Sequence, residues 1–286
     1  MVSRLFSARV SPEVPTTHSS PPNNLPLETI EKIIAHLIYD TPSLLACSLT
    51  CYSWYIAAVP HLHHTLMILN SRWHFNLKHQ WSEPLQNASR HGLLPFVKRL
   101  QVRRLSCRYE GFYPKRFNRH TLRQFAALSN VQELEIDDLD IPKFMPRIQE
   151  YFGHFSPTLR SLSLSKPKGS RRQIVFFIGL FQYLEDLKLF DDVLDHYKSE
   201  PAEDPALIPL FTPPLQGRLK VTMFKRVGLL KDMIDLFGGI RFRRMDLFDV
   251  DGMRLLVGAC AETLETLRVY PKDPRGKPLS MKVSDS

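Results

Sequence analysis

The chain has 286 residues with an apolar content of 43%, a charged fraction of 23% and a formal net charge of +9 at pH 7. This composition is typical of a globular protein and excludes a chain that is disordered throughout. The longest apolar stretch, residues 174–184, is too short to cross a membrane and is interrupted by Gln182 and Tyr183, so no membrane partner is expected.

The number and spacing of the cysteines argue against structural disulfides and against a structural metal site. The chain has four cysteines, Cys47, Cys51, Cys107 and Cys260, and no Cys-x-x-Cys pair. This spacing predicts neither a set of disulfides nor a zinc site, and it fits a reducing compartment. We therefore expect a cytoplasmic and/or nuclear protein.

Residues 1–24 are rich in Ser, Pro, Thr and Asn and contain a single acidic residue, Glu13. Because they lack apolar periodicity, they predict a disordered N-terminal arm. A mitochondrial presequence is an alternative, since Arg4 and Arg9 lie in an acid-poor segment. The four prolines of the arm would, however, interrupt the amphipathic helix that such a presequence needs.

Residues 25–66 are predicted to form a module of three short helices. The first helix carries large apolar residues at i, i+3, i+4, i+7 and i+8, namely Ile30, Ile33, Ile34, Leu37 and Ile38. Asp40 and Thr41 can cap a second helix that begins with Pro42 and presents Leu44, Leu45 and Leu49. Trp54 lies on a third helix that is predicted to end at Pro60. So small a unit needs a neighbouring domain or a partner protein.

The order of these residues is similar to the F-box, the segment by which substrate receptors bind the Skp adaptor of cullin-RING ubiquitin ligases. The string that carries the resemblance is Leu25-Pro26-x-Glu28-x-Ile30, then Ile33, Ile34, Leu37, Leu44, Leu45, Ser48, Leu49, Cys51 and Trp54. The resemblance implies that the adaptor is bound through Leu25, Pro26, Ile30, Ile33, Leu45, Leu49 and Trp54. Family members often carry a basic pair where this chain has Tyr52 and Ser53. The alternative is an ordinary helical subdomain with one amphipathic face.

A second pattern recurs along residues 67–270. The frame apolar-x-x-apolar-x-apolar occurs at Val97/Leu100/Val102, Val131/Leu134/Ile136, Leu159/Leu162/Leu164, Leu184/Leu187/Leu189, Phe242/Met245/Leu247 and Leu264/Leu267/Val269, with a looser copy at Leu215/Leu219/Val221. Helix-like segments separate these strand-like pieces. The spacing is close to that of leucine-rich repeats, although less regular.

This alternation resembles the irregular leucine-rich repeats that follow the F-box in many fungal receptor proteins. The resemblance implies an α/β fold in which a three-helix F-box module precedes an irregular leucine-rich-repeat solenoid of strands and helices. A Pro-rich insertion is expected at residues 192–218 and a mobile tail at residues 271–286. A doubly wound α/β domain is the alternative, because it also alternates strands with helices.

If the units stack as a solenoid, the residues that flank the inner apolar pair of each strand line its concave surface. The basic and aromatic residues at these positions are candidates for binding a substrate protein: Arg99, Arg103, Lys188, Phe190, Arg218, Lys220, Arg244, Phe248, Arg268 and Tyr270. The alternative for Phe190 and Phe248 is packing under the adjacent loops.

The strongest charge bias lies in residues 98–119, where eight basic residues and several aromatic ones surround one acid, Glu110. Such a stretch can bind single-stranded nucleic acid or a phosphorylated peptide, and it can also be a solvated face of a basic protein. No signature of a nucleic-acid-binding fold accompanies it, so nucleic acid is not the expected partner.

The sequence contains no recognisable catalytic or cofactor-binding motif. His61, His63 and His64 have no carboxylate or cysteine at ligand spacing, and no phosphate-binding glycine loop or nucleophile motif occurs. We expect no enzyme, no metal and no cofactor.

The F-box resemblance implies instead a non-catalytic substrate-recognition subunit of a cullin-RING ubiquitin ligase. Its expected partners are the Skp adaptor, the cullin scaffold and an unidentified target protein. The alternative is a nucleic-acid-associated or general scaffold protein that uses residues 98–119.

Overall fold

The computed structural model describes residues 25–69, 82–103, 125–145, 148–190, 215–222, 227–236, 239–248, 250, 252–270 and 281–282. The predicted arm at 1–24, most of the insertion at 192–218, residues 104–119 of the basic stretch and most of the tail at 271–286 lie outside this range. The chain divides into two compact units, Met1–Ala58 and Val59–Ser286.

Three helices occupy the N-terminal region: α1 (Leu27–His36), α2 (Thr41–Ser48) and α3 (Tyr52–Leu62). Helix α2 begins at Thr41, one residue before the predicted Pro42, and Asp40 is its N-cap as predicted. Helix α3 continues two residues beyond Pro60, where it was predicted to end. Its last turn is closed by the amide of His63, which donates to the carbonyl of Val59 at 3.0 Å.

A sheet follows, with nine strands in the described residues. Its strands are β1 (Thr65–Leu69), β2 (Arg99–Arg103), β3 (Glu133–Asp137), β4 (Ser161–Ser165), β5 (Asp186–Phe190), β6 (Gln216–Thr222), β7 (Arg241–Phe248), β8 (Thr266–Tyr270) and β9 (Met281–Lys282). Strands β1 to β8 pair in parallel, and β9 pairs antiparallel with β8. The strands lie in the sheet in the order of the chain. A doubly wound sheet reverses its strand order at a switch point, and the described strands show no such reversal.

In the described residues, several of the connections between parallel strands contain helices, the usual form of such a crossover. These are α4 (Ser82–Arg90), α5 (Ile141–Phe144), α6 (Ile148–Phe152), α7 (Arg171–Gly179), α8 (Val227–Leu236) and α9 (Met253–Ala259). Two single 3₁₀ turns, Leu94–Phe96 and Gly153–Phe155, lie before β2 and after α6. The second unit is therefore a parallel α/β sheet with helices in its crossovers.

The strands align because two apolar positions on each strand stack in register across the sheet. One row is Leu66, Leu100, Leu134, Leu162, Leu187, Leu219, Met245 and Leu267, and the other is Ile68, Val102, Ile136, Leu164, Leu189, Val221, Leu247 and Val269. Nearly all of these side chains are buried. A register slip of one residue would turn both rows to the other face, so burial fixes the pairing.

Helix α7 covers part of these rows. It begins with a capping box, in which the amide of Gln173 donates to Ser170 Oγ and the amide of Ser170 donates to Gln173 Oε1 at 2.9 Å. Its buried face includes Ile174 and Phe177. The ring of Phe177 contacts that of Phe152 edge-on, with centroids 5.3 Å apart.

Two strands were not predicted. Strand β1 escaped the repeat frame because His63 occupies the position that Val97 holds in the next unit, so the first apolar residue of the frame is missing. Strand β9 falls within the predicted tail.

Strand β6 also differs from the prediction, since it begins at Gln216 inside the predicted insertion at 192–218. The apolar frame is irregular here because Gly217 stands between Leu215 and Leu219, at the point where the pairing with β7 forms a bulge: Gly217 pairs with Phe242 and Arg218 pairs with Arg244.

Gly217 is required by this bulge. Its φ is +90°, and a Cβ built there would lie 2.1 Å from the backbone carbonyl oxygen of Glu185 on the neighbouring chain segment. The amide of Arg218 donates to that same carbonyl at 2.7 Å, so the oxygen cannot retreat without losing a ladder hydrogen bond. Only glycine fits both the backbone conformation and the space.

We predict that Gly217→Ala lowers the free energy of unfolding by at least about 2 kcal/mol, because it adds backbone strain and a clash with Glu185. Urea unfolding followed by circular dichroism measures this loss. The matched control is Gly258→Ala in α9, where an added Cβ meets nothing within 4 Å. That change should be neutral or stabilising by about 0.5 kcal/mol, and an equal loss in both variants would contradict the assignment.

Candidate protein-interaction surfaces

The three N-terminal helices expose large apolar side chains. We call this group the exposed apolar set: Leu25, Leu27, Ile33, Ile38, Leu45, Leu49, Tyr52, Tyr55 and Ile56. Leu49 is 85% exposed and Leu45 is 50% exposed. Apolar side chains this exposed on a short helical module are typical of a surface that another protein covers.

The predicted adaptor-binding residues fall into three groups. Leu25, Pro26, Ile33, Leu45 and Leu49 are exposed, Trp54 is half-buried, and Ile30 is buried at 2% exposure. The predicted apolar stripe of α1 contains both buried and exposed residues. Ile30 and Ile34 are buried, whereas Ile33 is exposed, because consecutive residues of a helix point about 100° apart.

Leu45 on helix α2 and Leu49 at its C-cap are exposed, and Asp40 fixes where this helix begins. The Asp40 carboxylate accepts hydrogen bonds from the hydroxyl of Ser43 at 2.5 Å and from its amide at 3.3 Å. These hydrogen bonds lower the pKa of Asp40, the hydroxyl making the larger contribution. A carboxylate at a helix N-terminus also complements the helix dipole.

The second surface is the polar face of the sheet. The register places the residues that flank the apolar pairs in three rows. The first row is Arg99, Glu133, Ser161, Asp186, Arg218, Arg244 and Thr266; the second is Gln101, Glu135, Ser163, Lys188, Lys220, Asp246 and Arg268; the third is Arg103, Asp137, Ser165, Phe190, Thr222, Phe248 and Tyr270.

Acidic residues neutralise the basic ones at strands β2 and β3. Glu135 accepts a hydrogen bond from Arg99 at 3.0 Å and one from the side-chain amide nitrogen, Nε2, of Gln101 at 2.9 Å, and it lies 3.7 Å from Arg103. Glu133 lies 3.6 Å from Arg99. Arg99 and Arg103 were both predicted to bind a substrate, and the structure shows that each is engaged by a neighbouring strand.

Two further candidates are paired in the same way. Lys188 Nζ lies 2.8 Å from Asp186 on its own strand, and Ser161 on β4 donates to the same carboxylate at 3.3 Å. Arg218 forms an ion pair and hydrogen bonds with Asp246, which raises the pKa of the guanidinium. Asp246 is only 7% exposed, so this pair is a fixed part of the sheet face.

The third row carries aromatic side chains on strands β5, β7 and β8, and these rings lie near one another. The rings of Phe248 and Tyr270 stack in parallel, with centroids 3.9 Å apart and an interplanar angle of 1°. Lys220 Nζ lies 5.5 Å from the centroid of Phe248 and 6.0 Å from that of Phe190. These cation–π contacts hold the ammonium group without cancelling its charge.

Arg244 and Arg268 complete this region. Both are exposed, and within the part of the chain that the structure describes no carboxylate lies within 4.0 Å of either one or of Lys220. The ten predicted substrate-binding residues thus separate into a paired group on β2 to β6 and an aromatic and unpaired group centred on β6 to β8.

A depression of about 220 Å³ on the sheet face was not predicted. It is lined by Arg99, Glu133, Leu134, Glu135, Ser161, Ser163, Lys188 and Phe190. It exists because the small serines of β4 lie between longer side chains on β3 and β5. Serine carries no charge or aromatic signal, so only the strand register could reveal this feature.

The described residues contain neither a metal-ligand cluster nor a helix that could span a membrane. Over the described ranges, no group of three or more His, Cys, Asp or Glu residues is placed to hold a metal ion. Burial lowers the pKa of His61 and of His63, and the charge of Lys98 adds to this effect at His61. No described helix is long and apolar enough to cross a bilayer.

The geometry thus defines a helical module with exposed apolar residues, followed by a parallel α/β sheet domain. Comparison with known families agrees for the first part: residues 22–68 match the F-box-like family model, which covers about a sixth of the chain. F-box domains generally bind the Skp adaptor in cullin-RING complexes. No curated protein and no solved structure matches the chain.

We predict that Glu135→Ala lowers the free energy of unfolding by about 1–2 kcal/mol. The change leaves the buried amide of Gln101 without its acceptor and removes the counter-charge of two arginines. Glu133→Ala is the matched control, because it removes one exposed pair and should cost less than about 0.5 kcal/mol. Urea unfolding distinguishes the two, and equal losses would show that the network around Glu135 is not cooperative.

Proposed function

We propose that this chain is a non-catalytic substrate-recognition subunit of a cullin-RING ubiquitin ligase. Its F-box-like helices bind the Skp adaptor, which links it to the cullin scaffold, and its sheet domain binds a target protein. The observation that carries the proposal is the exposed apolar set, which lies within the segment that matches the F-box-like family model.

The adaptor interface is proposed to use Leu25, Pro26, Ile33, Leu45 and Leu49 directly. Covering a leucine side chain with a partner contributes about 1.5–3 kcal/mol when it is fully buried, so a few such residues suffice for stable binding. Ile30, which is buried, supports the surface by holding α1 in place, and the half-buried Trp54 serves as a partly exposed anchor.

The sheet domain is proposed to be a solenoid of irregular leucine-rich repeats. Two observations support this: the described strands follow chain order, and their apolar residues form two continuous buried rows. Each unit then covers only its neighbours, and the polar rows form one extended recognition face.

The proposed mechanism is proximity. Holding a target near the ubiquitin-conjugating enzyme raises the effective concentration of its lysines, while the bond-forming chemistry belongs to other subunits. Such a role needs no catalytic residue, metal or cofactor in this chain, and it places the protein in the cytoplasm and/or the nucleus.

We predict that the purified chain retains the Skp adaptor in a co-purification assay and that Leu45→Ala combined with Leu49→Ala weakens binding at least about tenfold. The reason is the loss of two apolar contacts, each large enough to account for a tenfold change. Leu25→Ala with Pro26→Ala should have the same effect. Titration calorimetry with the isolated adaptor gives the affinity.

The matched control is Leu255→Ala in α9, which truncates a leucine of similar exposure, 46%, outside the helical module. This variant should bind the adaptor like the wild type. Failure of the wild-type chain to bind the adaptor would refute the proposal, and equal weakening by Leu255→Ala would show that the effect is not local.

A further inference from the structure

We propose that the C-terminal end of the sheet face binds an acidic segment of the target protein. The surface consists of Phe190, Lys220, Arg244, Phe248, Arg268 and Tyr270, and we call it the basic aromatic surface. This inference rests on the proposed function, since it names the chemistry of the target that the sheet domain would recognise.

The first argument is the uneven distribution of charge along the sheet face. On strands β2 to β5 the three rows hold three cations and four anions. On strands β6 to β8 they hold four cations and one anion, Asp246. Asp246 is already bound by Arg218, so among the described residues no carboxylate engages Lys220, Arg244 or Arg268, and these cations can meet a partner.

The second argument is the aromatic wall beside these cations. Phe248 and Tyr270 are stacked and half-buried, so they are held in one orientation and lose little freedom when a partner covers them. Lys220 is steered by two rings. Aromatic residues next to arginines are the residue types that dominate binding energy at protein interfaces.

The third argument concerns the kind of anion. Neighbouring strands lie about 4.8 Å apart, so the backbones at Lys220 and Arg268, which are two strands apart in the same row, are separated by about 10 Å. Asp246, already paired with Arg218, lies between them in that row, so the two cations do not converge on one point. Arg244 lies in the adjacent row. Cations spread in this way match carboxylates spaced along a peptide better than one phosphate, which needs converging donors.

The test is a fluorescence anisotropy titration of the full chain with a labelled peptide in which Asp and Glu residues flank one Tyr. We expect the affinity for this peptide to fall as the salt concentration rises. In the Arg244→Gln, Arg268→Gln double variant the affinity should be at least tenfold lower than in the wild type. A peptide with Asn and Gln in place of the acids should bind at least tenfold more weakly than the acidic peptide.

The matched control is Arg99→Gln with Arg103→Gln, on the same face but engaged by Glu133 and Glu135. It removes the same net charge and should leave affinity within twofold of the wild type. Equal loss in both double variants would overturn the proposal, because it would mean that net charge alone attracts the peptide. Unchanged binding by the Arg244 and Arg268 variant would also overturn it.

Two further probes decide the source of the anion. A phosphoserine peptide or a single-stranded oligonucleotide that binds tenfold more tightly than the acidic peptide would replace the proposed partner. Adaptor binding is measured separately on every variant and should not change in the Arg244 and Arg268 pair. If the wild-type chain binds the acidic peptide but does not bind the adaptor, the receptor role is refuted and the assignment of this surface still stands.

Discussion

The rest of the sheet domain depends on one constraint, the in-register stacking of two apolar rows along parallel strands. Burial of these rows fixes which residues face the interior, and the strand period of two then fixes which residues form the polar rows. Spacing between equivalent positions varies from 34 residues, at Arg99 and Glu133, to 22 residues, at Arg244 and Thr266. The register is kept regardless, because the crossovers and not the strands take up the difference in length.

The same stacking decides which charges are available. Arg99 and Glu135 are 36 residues apart in the chain but belong to adjacent strands, so their pairing follows from register and not from local sequence. Lys220 is held by rings from two other strands. On the described polar face, carboxylates on the same or neighbouring strands therefore neutralise many of the basic side chains. The basic side chains without such a partner lie at the C-terminal end of the face.

Much of this architecture could be predicted from the sequence, because apolar spacing reports directly on burial. The helices at 25–62 and the strands with two inward residues were found in this way. What failed to be predicted involves residues whose role depends on distant neighbours: His63 at the start of β1, Gly217 beneath the carbonyl of Glu185, and the serines of β4. Likewise, the periodicity of α1 predicted an amphipathic helix but could not tell that Ile30 and Ile33 differ in exposure.

The strictly sequential strand order has a consequence for how such a protein can change over evolution. Among the described residues each strand pairs only with the strands immediately before and after it in the chain, so a substitution in one polar row reaches that strand and its two neighbours. Substitutions on the C-terminal strands can therefore accumulate without changing the side chains that the first strands present. The same locality makes the sheet domain a candidate scaffold for grafting, in which single strands are exchanged to alter one part of its polar face.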